Sequence, residues 1–515
     1  MLKLVVIFAN NMALMIYDTR RKQKVTFEPI NKGNVSMYVC GVTVYDLCHL
    51  GHARCYVAFD VVHRWLEASG YDVNYIQNFT DIDDKIILRA NEKEVDFLEL
   101  VGEYIEAYYE DMDSLNILRA DVYPRCTEYV ENMISITENL IKKKNAYITD
   151  DGVYFHVESA PEKYGELTGQ NIDAVLGGAG GRVSKTGEGK RDHKDFALWK
   201  LAKPGEPSWE SPWGDGRPGW HIECTAMSMD HLGEQFDIHG GGHDLRFPHH
   251  EAEIFQGECH TGKSPVVNYW LHNGFVNMDG EKMSKSLGNF WTIRDIISKM
   301  EPLVLRFALI NAQYRSPIDM NEQLLNDAGV NHKRLLDSYQ LALNSWDEVE
   351  ENELRRLPEP DLTSAESLAK SLGLIEKFAE EFALAMDDDF NTRQAVAKTM
   401  AIVREANRLL SSNLDEKDVN AVGFYLVDLF EQQAGTVLGL LPTREQTLAM
   451  GEESEEVIKR KSEISEEVED LLIQRTKARA EKNWPEADKI RDRLSEMGVS
   501  VIDTVDGPVW DLSWN

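Results

Sequence analysis

The stretch VSMYVCGVTVYDLCHLGHARCYVAFDVVHRWLEASGYDVNYIQNFTD, residues 35–81, decides the fold. Residues 35–41, VSMYVCG, read as a strand. A turn follows over 42–52. Residues 53–70 place apolar side chains at helical spacing and end on a glycine stop, and 71–81 read as a second strand. Strand, helix and strand in that order predict a parallel sheet of Rossmann type.

Outward from this core, residues 84–145 read as largely helical. Residues 176–195, LGGAGGRVSKTGEGKRDHKD, read as a mobile loop within an insertion. Sheet-like pattern returns over 234–239, and Gly240–Gly242 are expected to form a bend flanked by His239 and His243. From Val304 onward the pattern is helical nearly to the end. Pro358–Pro360 and the acidic stretch 443–456 read as linkers, with a helical unit at 364–441 between them. One last helix over 464–497 leads to VSVIDTVDGPVWDLSW. The expected fold class is α/β: a Rossmann-type parallel-sheet catalytic domain with an insertion, then an all-helical domain and a small C-terminal α+β unit.

The chain has 515 residues, with 43% hydrophobic and 28% charged residues, which fits a globular protein of several domains. No run of about 18 apolar residues occurs, so no membrane span is expected. Residues 1–11 hold only a short apolar run, and Met12 opens a more usual beginning than Met1. All six cysteines lie between Cys40 and Cys259, which suits free thiols or metal ligands in a reducing compartment. The net charge of −33, from 55 basic and 88 acidic residues, argues against a generally nucleic-acid-binding surface. A local basic patch suffices for phosphate binding, however. The best candidate is Arg475, Lys477, Arg479, Lys482, Lys489, Arg491 and Arg493, with Trp484 for base stacking.

Two short motifs carry chemistry. His49-Leu50-Gly51-His52 falls where the first strand gives way to the helix, so imidazole donors sit beside a helix N-terminus that favours anions. Gly51 lets the backbone approach a flat ring or a phosphate. Far downstream, Lys282-Met283-Ser284-Lys285-Ser286 places two lysines in a Gly- and Ser-rich loop suited to a diphosphate leaving group. Either motif alone is weak. The pair, in this order and separation, resembles the signature motifs of class I aminoacyl-tRNA synthetases.

The segments around them resemble the cysteinyl members of that family: MYVCGVTVYDLCHLGHAR, NFTDIDDKI, GWHIECTAM, FDIHGGGHDLRFPHHEAEI, HNGFVNMDGEKMSKSLGN, YRSPI, AMDDDFNT and WPEADKIRDRLSEMGVSVIDT. The resemblance runs from about Met12 to Trp510. It implies activation of L-cysteine with ATP and Mg²⁺ and its transfer to tRNA(Cys), in the cytoplasm, by a monomer. His49, His52, Lys282 and Lys285 are the catalytic groups it implies. Gly51, Gly241, Asp244 and Lys285 are implied nucleotide contacts, and Thr80 and Trp220 line the cysteine pocket.

His249 and Glu253, four apart in a helical-looking segment, share a face and form half of a plausible zinc site. Cys40 and Cys224 could supply thiolates, although a buried free cysteine is often simply a small hydrophobe. The resemblance assigns all four as ligands of one Zn²⁺. His239, His243 and His250 are not read as ligands, and a hydrolytic centre on His249, His250 and Glu251 lacks the H-E-x-x-H spacing. Ala252 departs from the Asn common in the family.

The implied boundaries are 12–127 and 211–280 for the two Rossmann halves, 128–210 for the connective insertion and 281–345 for the KMSKS loop and stem-contact region. A DALR-like helical tRNA-binding domain takes 358–442, and the anticodon-binding unit takes 457–515. Two rivals remain: a ligase joining activated cysteine to an amino-sugar, and a catalytically inactive relative.

Overall fold

The first long strand of the chain, Asn34–Val39, owes its place to burial on both sides: Val35, Met37, Tyr38 and Val39 are all shielded from solvent. The structure, a computed structural model, describes residues 13–169, 189–278, 280–282, 291–346, 366–412, 414–451, 455–480, 483–497, 499–504 and 507–512. Strands β1 (Met15–Asp18) and β2 (Gln23–Thr26) form an antiparallel ribbon ahead of β3 (Asn34–Val39). Helix α1 (Leu50–Ala68) crosses to β4 (Asp72–Gln77), which pairs with β3 in parallel. The helix starts three residues earlier than the apolar periodicity indicates. The His49 side chain caps it, so the motif turn is itself the first helical turn.

Helices α2 (Asp84–Lys93), α3 (Phe97–Ser114) and α4 (Val130–Lys142) follow. The insertion is an antiparallel sheet of β5 (Ala146–Thr149), β6 (Gly152–Phe155), β7 (Phe196–Leu201) and β8 (Gly216–Pro218). The chain then returns through α5 (Ile222–Leu232), β9 (Phe236–Gly242), α6 (His249–Thr261) and β10 (Val267–Asn273). The main sheet has the order β10-β9-β3-β4, every pair parallel. From β3 the chain winds outward to β4, and from β9 outward the other way to β10. The switch point therefore lies between β3 and β9, where the strands' carboxyl ends open a crevice for ligands.

Three local expectations are corrected. Gly240–Gly242 form no bend but complete β9; a Cβ on Gly240 would lie 2.3 Å from the Phe59 ring, so glycine here serves close packing of α1 on the sheet. The helical reading from Val304 onward is interrupted. After β11 (Val276–Met278), β12 (Glu281–Lys282), α7 (Ile293–Ile297) and α8 (Pro302–Ile310), strand β13 (Ile318–Met320) pairs with β11 before α9 (Glu322–Asn344) begins. Pro317, which cannot continue a helix, stands just before that strand. The expected single helix over 464–497 is two, Glu455–Ala480 and Trp484–Glu496. Pro485 lacks the N–H a continuous helix needs but suits the first turn of a new one.

The chain divides into two units, Met1–Leu441 and Pro442–Asn515. The second has its own small core of Val468, Leu471, Leu472, Ile490, Leu494 and Val499, closed by an antiparallel hairpin of Val499–Thr504 and Gly507–Leu512. In the first, helices Glu366–Asp387, Thr392–Leu410 and Glu416–Phe430 follow α9. A buried ion cluster ties α1 to α8 and to the chain just beyond the last of these helices. Asp60 accepts from Arg64 Nε at 2.8 Å, from Arg306, and from the Leu118 N–H at 2.8 Å. Arg306 goes on to donate to the Leu115, Asn116 and Leu438 carbonyls, and Arg64 to that of Thr436.

Burial alone would raise the Asp60 carboxyl, but the Arg306 and Arg64 guanidiniums outweigh it and hold the group below its ordinary value. Its contribution is thus complete at neutral pH and is lost only as pH falls below the ordinary carboxylate value of about 3.9. Asp60→Asn leaves a buried guanidinium without its counter-charge. It is expected to cost about 3–5 kcal/mol at pH 7, read as a lowered urea midpoint. An unchanged midpoint would show that the cluster does not hold α1 and α8 together.

Candidate metal centre and active site

Cys40 is the first residue beyond β3, at the switch point, and Cys224 lies in the first turn of α5. His249 and Glu253 share one face of α6. The sheet brings all four together. The two sulfurs are 3.6 Å apart, Cys224 Sγ is 3.3 Å from His249 Nε2, His249 Nε2 is 3.3 Å from Glu253 Oε1, and Cys40 Sγ is 3.9 Å from that oxygen. All four residues are buried. Burial pushes both thiols up, and the neighbouring Glu253 carboxylate raises them further. Burial pushes His249 well below its ordinary value, which keeps it in the neutral, ligating form. Two thiols and a carboxylate in one buried space call for a cation, and a metal binding here would displace the thiol protons. This group could hold a metal ion.

A second group of donors, Cys40, His239, His250 and Glu253, overlaps the first. Its imidazoles have other partners as well. His239 Nε2 is 2.8 Å from Glu253 Oε2. His250 Nε2 is 3.2 Å from Cys40 Sγ, His250 Nδ1 is 2.8 Å from His272 Nε2, and His272 Nδ1 is 2.8 Å from Thr19 Oγ1. Burial holds His250 and His272 far below the ordinary imidazole value. Because a thiolate can only accept, deprotonation of Cys40 fixes the direction of the chain: Thr19 donates to His272, His272 to His250, and His250 to the sulfur. On the other side, His249 Nδ1 lies 3.0 Å from Nδ1 of His221, which burial pushes down to about 3. A proton on His249 Nδ1 leaves the Nε2 lone pair facing Cys224. His221 and His272 escaped the sequence reading because no local spacing connects them to the cluster. Buried Ala252, beside these groups, adds no hydrogen bond of its own side chain.

The His49-Leu50-Gly51-His52 turn sits at the N-terminus of α1. The two imidazoles stack at 3.7 Å between centroids. His49 Nδ1 accepts from the Gly51 N–H at 2.9 Å, and His52 Nδ1 accepts from the His49 N–H at 3.3 Å. In each neutral ring the proton then resides on Nε2, the donor state that stabilises a reacting phosphate. The chain that follows the lysine motif meets this turn: Leu50 N donates to the Trp291 carbonyl at 3.2 Å, and Ile293 N to that of Cys48 at 3.0 Å. Lys282 ends β12, and Lys285 lies outside the described residues, as do Lys482 and residues 170–188.

Gly241 closes on the metal cluster's edge, where a Cβ would come within 2.8 Å of the His250 ring. Asp244 is exposed in the short helical turn His243–Arg246. Trp220 is 38% exposed and lays its ring on His249 at 4.5 Å, so its role is not core packing. Thr80, 3% exposed, donates its hydroxyl to Glu223 Oε2 at 3.1 Å. Arg475 is partly exposed, and Lys477, Arg479, Lys489, Arg491 and Arg493 are exposed in the second unit.

A Rossmann sheet with a histidine-capped first helix at its switch point defines the class I tRNA-synthetase catalytic domain, and residues 26–330 match the family of that description, tRNA synthetases class I (C) catalytic domain. Residues 381–442 match the DALR domain, and 461–510 the cysteinyl-tRNA ligase anticodon binding domain. The chain belongs to the cysteine–tRNA ligase family. It is 46% identical over 505 residues to the cysteine–tRNA ligase of Pelobacter propionicus, covering 97% of this chain and 100% of that one. It is 47% identical over 501 residues to that of Nitratidesulfovibrio vulgaris, again covering 97% and 100%. A methionyl-tRNA synthetase of Mycobacterium tuberculosis bound by methionyl-adenylate shares the fold, with a TM-score of 0.57 at 15% identity over 80% of this chain and 95% of that one. No helix among the described residues is long and apolar enough to cross a membrane.

Cys224→Ala removes one donor and leaves the rest of the cluster in place. The variant is expected to lose the metal that the purified wild-type protein retains, as read by elemental analysis. Full retention would exclude this cluster as the binding point.

Proposed function

We propose that the chain activates L-cysteine with ATP to cysteinyl-AMP, releasing diphosphate, and transfers the cysteinyl group to the 3′ end of tRNA(Cys), releasing AMP. The observation that carries this reading is the buried cluster of Cys40, Cys224, His249 and Glu253 beside the histidine-capped helix. Zinc is the metal that suits it. Tetrahedral coordination at zinc bond lengths of about 2.0–2.3 Å spaces the donor atoms about 3.3–3.8 Å apart. The separations of 3.3, 3.3, 3.6 and 3.9 Å fall at or close to that range. The set of two sulfurs, one nitrogen and one oxygen is also a zinc set. His239 and His250 then support Glu253 and Cys40 instead of binding the ion. When bound, zinc supplies a soft Lewis-acid contact for the substrate's sulfur that the hydroxyl of serine cannot match.

Each residue then has a task. Trp220 and Thr80 line the amino-acid pocket. The cysteine carboxylate attacks the α-phosphate of the ATP–Mg²⁺ substrate, and Nε2–H groups of His49 and His52 donate to the charge that builds on the phosphate oxygens. Lys282 and Lys285 neutralise the diphosphate as it leaves. Gly51, Gly241 and Asp244 border the nucleotide. The terminal ribose hydroxyl of the tRNA then attacks the adenylate's carbonyl carbon. Residues 461–510 read the anticodon, with the exposed arginines and lysines on the phosphates. The cytoplasm keeps Cys40 and Cys224 reduced for metal binding. The family match of the tail favours tRNA over an amino-sugar as acceptor.

Purified protein with ATP, Mg²⁺ and total tRNA is expected to load labelled cysteine and to reject labelled serine, and a zinc chelator is expected to abolish loading. Cysteine-dependent diphosphate exchange without loading onto tRNA would sink the tRNA assignment. Lys285→Ala is expected to lower kcat for exchange roughly 100-fold with little change in cysteine KM. A change confined to KM would remove the lysine from the transition state.

A further inference from the structure

Behind Thr80 lies a buried carboxyl group that the reaction as described does not use. Glu223, in the first turn of α5, is 1% exposed. Its Oε2 accepts two hydrogen bonds, one from the Thr80 hydroxyl at 3.1 Å and one from the Cys126 thiol, also at 3.1 Å. The Thr80 main chain is fixed independently, its N–H donating to the Val42 carbonyl and its carbonyl accepting from Val44 N–H. Asn78 completes the surroundings. Its Oδ1 accepts from the Gly41 N–H at 2.9 Å, and its Nδ2 lies 3.5 Å from Thr80 Oγ1.

A threonine hydroxyl carries one proton and two lone pairs, and a rotating hydroxyl can present either. Glu223 removes that choice. Burial pushes the Glu223 carboxyl well above its ordinary value, and a proton on its Oε1 leaves Oε2 an acceptor. With the Thr80 proton committed to Oε2 and Asn78 Nδ2 donating to Thr80 Oγ1 at 3.5 Å, the one lone pair left on Oγ1 can only accept. An amino acid's ammonium group has three N–H donors and no acceptor, so an acceptor-only oxygen suits it. We infer that Glu223 is a positioning residue that orients the Thr80 hydroxyl as an acceptor for the substrate's ammonium group. The inference rests on the reading of Thr80 as a lining residue of the cysteine pocket. Glu223 acts through Thr80 and touches no substrate itself. The Cys126 thiol is the second donor that holds the carboxyl group in place, and it is expected to be replaceable by serine.

The test is cysteine-dependent diphosphate exchange by the zinc-loaded full chain, with cysteine KM, ATP KM and kcat measured separately. Glu223→Met keeps the volume and removes the acceptor. It is expected to raise cysteine KM about 10- to 100-fold, the loss of a hydrogen bond to a charged group, with ATP KM, kcat and zinc content little changed. Glu223→Gln keeps an acceptor oxygen and is expected to restore cysteine KM to within a few-fold of wild type. In a Thr80→Val background, Glu223→Met is expected to add nothing further to cysteine KM, because a residue acting only through the hydroxyl has nothing left to orient. If Glu223→Met does not fold, Glu223→Asp, which withdraws the oxygen by one methylene, is expected to raise cysteine KM in the same direction. An unchanged cysteine KM in the folded Met or Asp variant overturns the inference, as does an equal added effect in the Thr80→Val background. Absence of cysteine-dependent exchange from the wild-type protein overturns the reading of the pocket itself, and the inference with it.

Discussion

Two thiols, an imidazole and a carboxylate share one buried space at the end of β3, and they can do so as ligands only if a cation joins them. The electrostatic cost of gathering anions in a low-dielectric interior is large, and a divalent metal reverses its sign. Much of the surrounding architecture follows from that requirement. No single segment of this chain supplies the four donors; they come from a strand end, the first turn of α5 and one face of α6. Parallel order matters because it places the carboxyl ends of β3 and β9 side by side.

The imidazoles around the cluster extend the same logic. Neutral rings suit a buried site, since each can accept on one nitrogen and donate on the other. The Thr19, His272 and His250 chain ends on the Cys40 sulfur, while His221 meets His249 and His239 meets Glu253. Each contact settles the orientation of a ring that would otherwise flip. The backbone performs the same service at the helix cap, where two N–H groups fix the tautomers of His49 and His52.

The distribution of charge reconciles an acidic chain with a polyanionic substrate. A net charge of −33 acts weakly beyond a Debye length of about 8–10 Å, so the local surface governs. In the second unit, the exposed basic side chains from Lys477 to Arg493 lie on two helices that the sequence pattern merges into one. In the first unit, the Asp60 cluster uses charge in the opposite way: it buries it to anchor α1, the helix that carries the histidine turn, against distant carbonyls.

The sequence by itself determined what depends on near neighbours. The parallel Rossmann half follows from a strand pattern, a 3.6-residue period and a glycine stop. The pairing of His249 with Glu253 follows from helical spacing. The place of the histidine motif at the start of the helix follows from the strand and helix patterns on either side of it. Element ends were less legible, as the early start of α1 and the break before Trp484 show, because caps and proline act on single residues and not on periodicity. Only the tertiary structure decided that Cys40 and Cys224, 184 residues apart, meet at 3.6 Å. The same holds for the places of His221 and His272 behind the ligands, and for the Glu223 contact with Thr80. The physical reason is that strand order and helix packing set which side chains converge, and neither leaves a periodic trace along the chain.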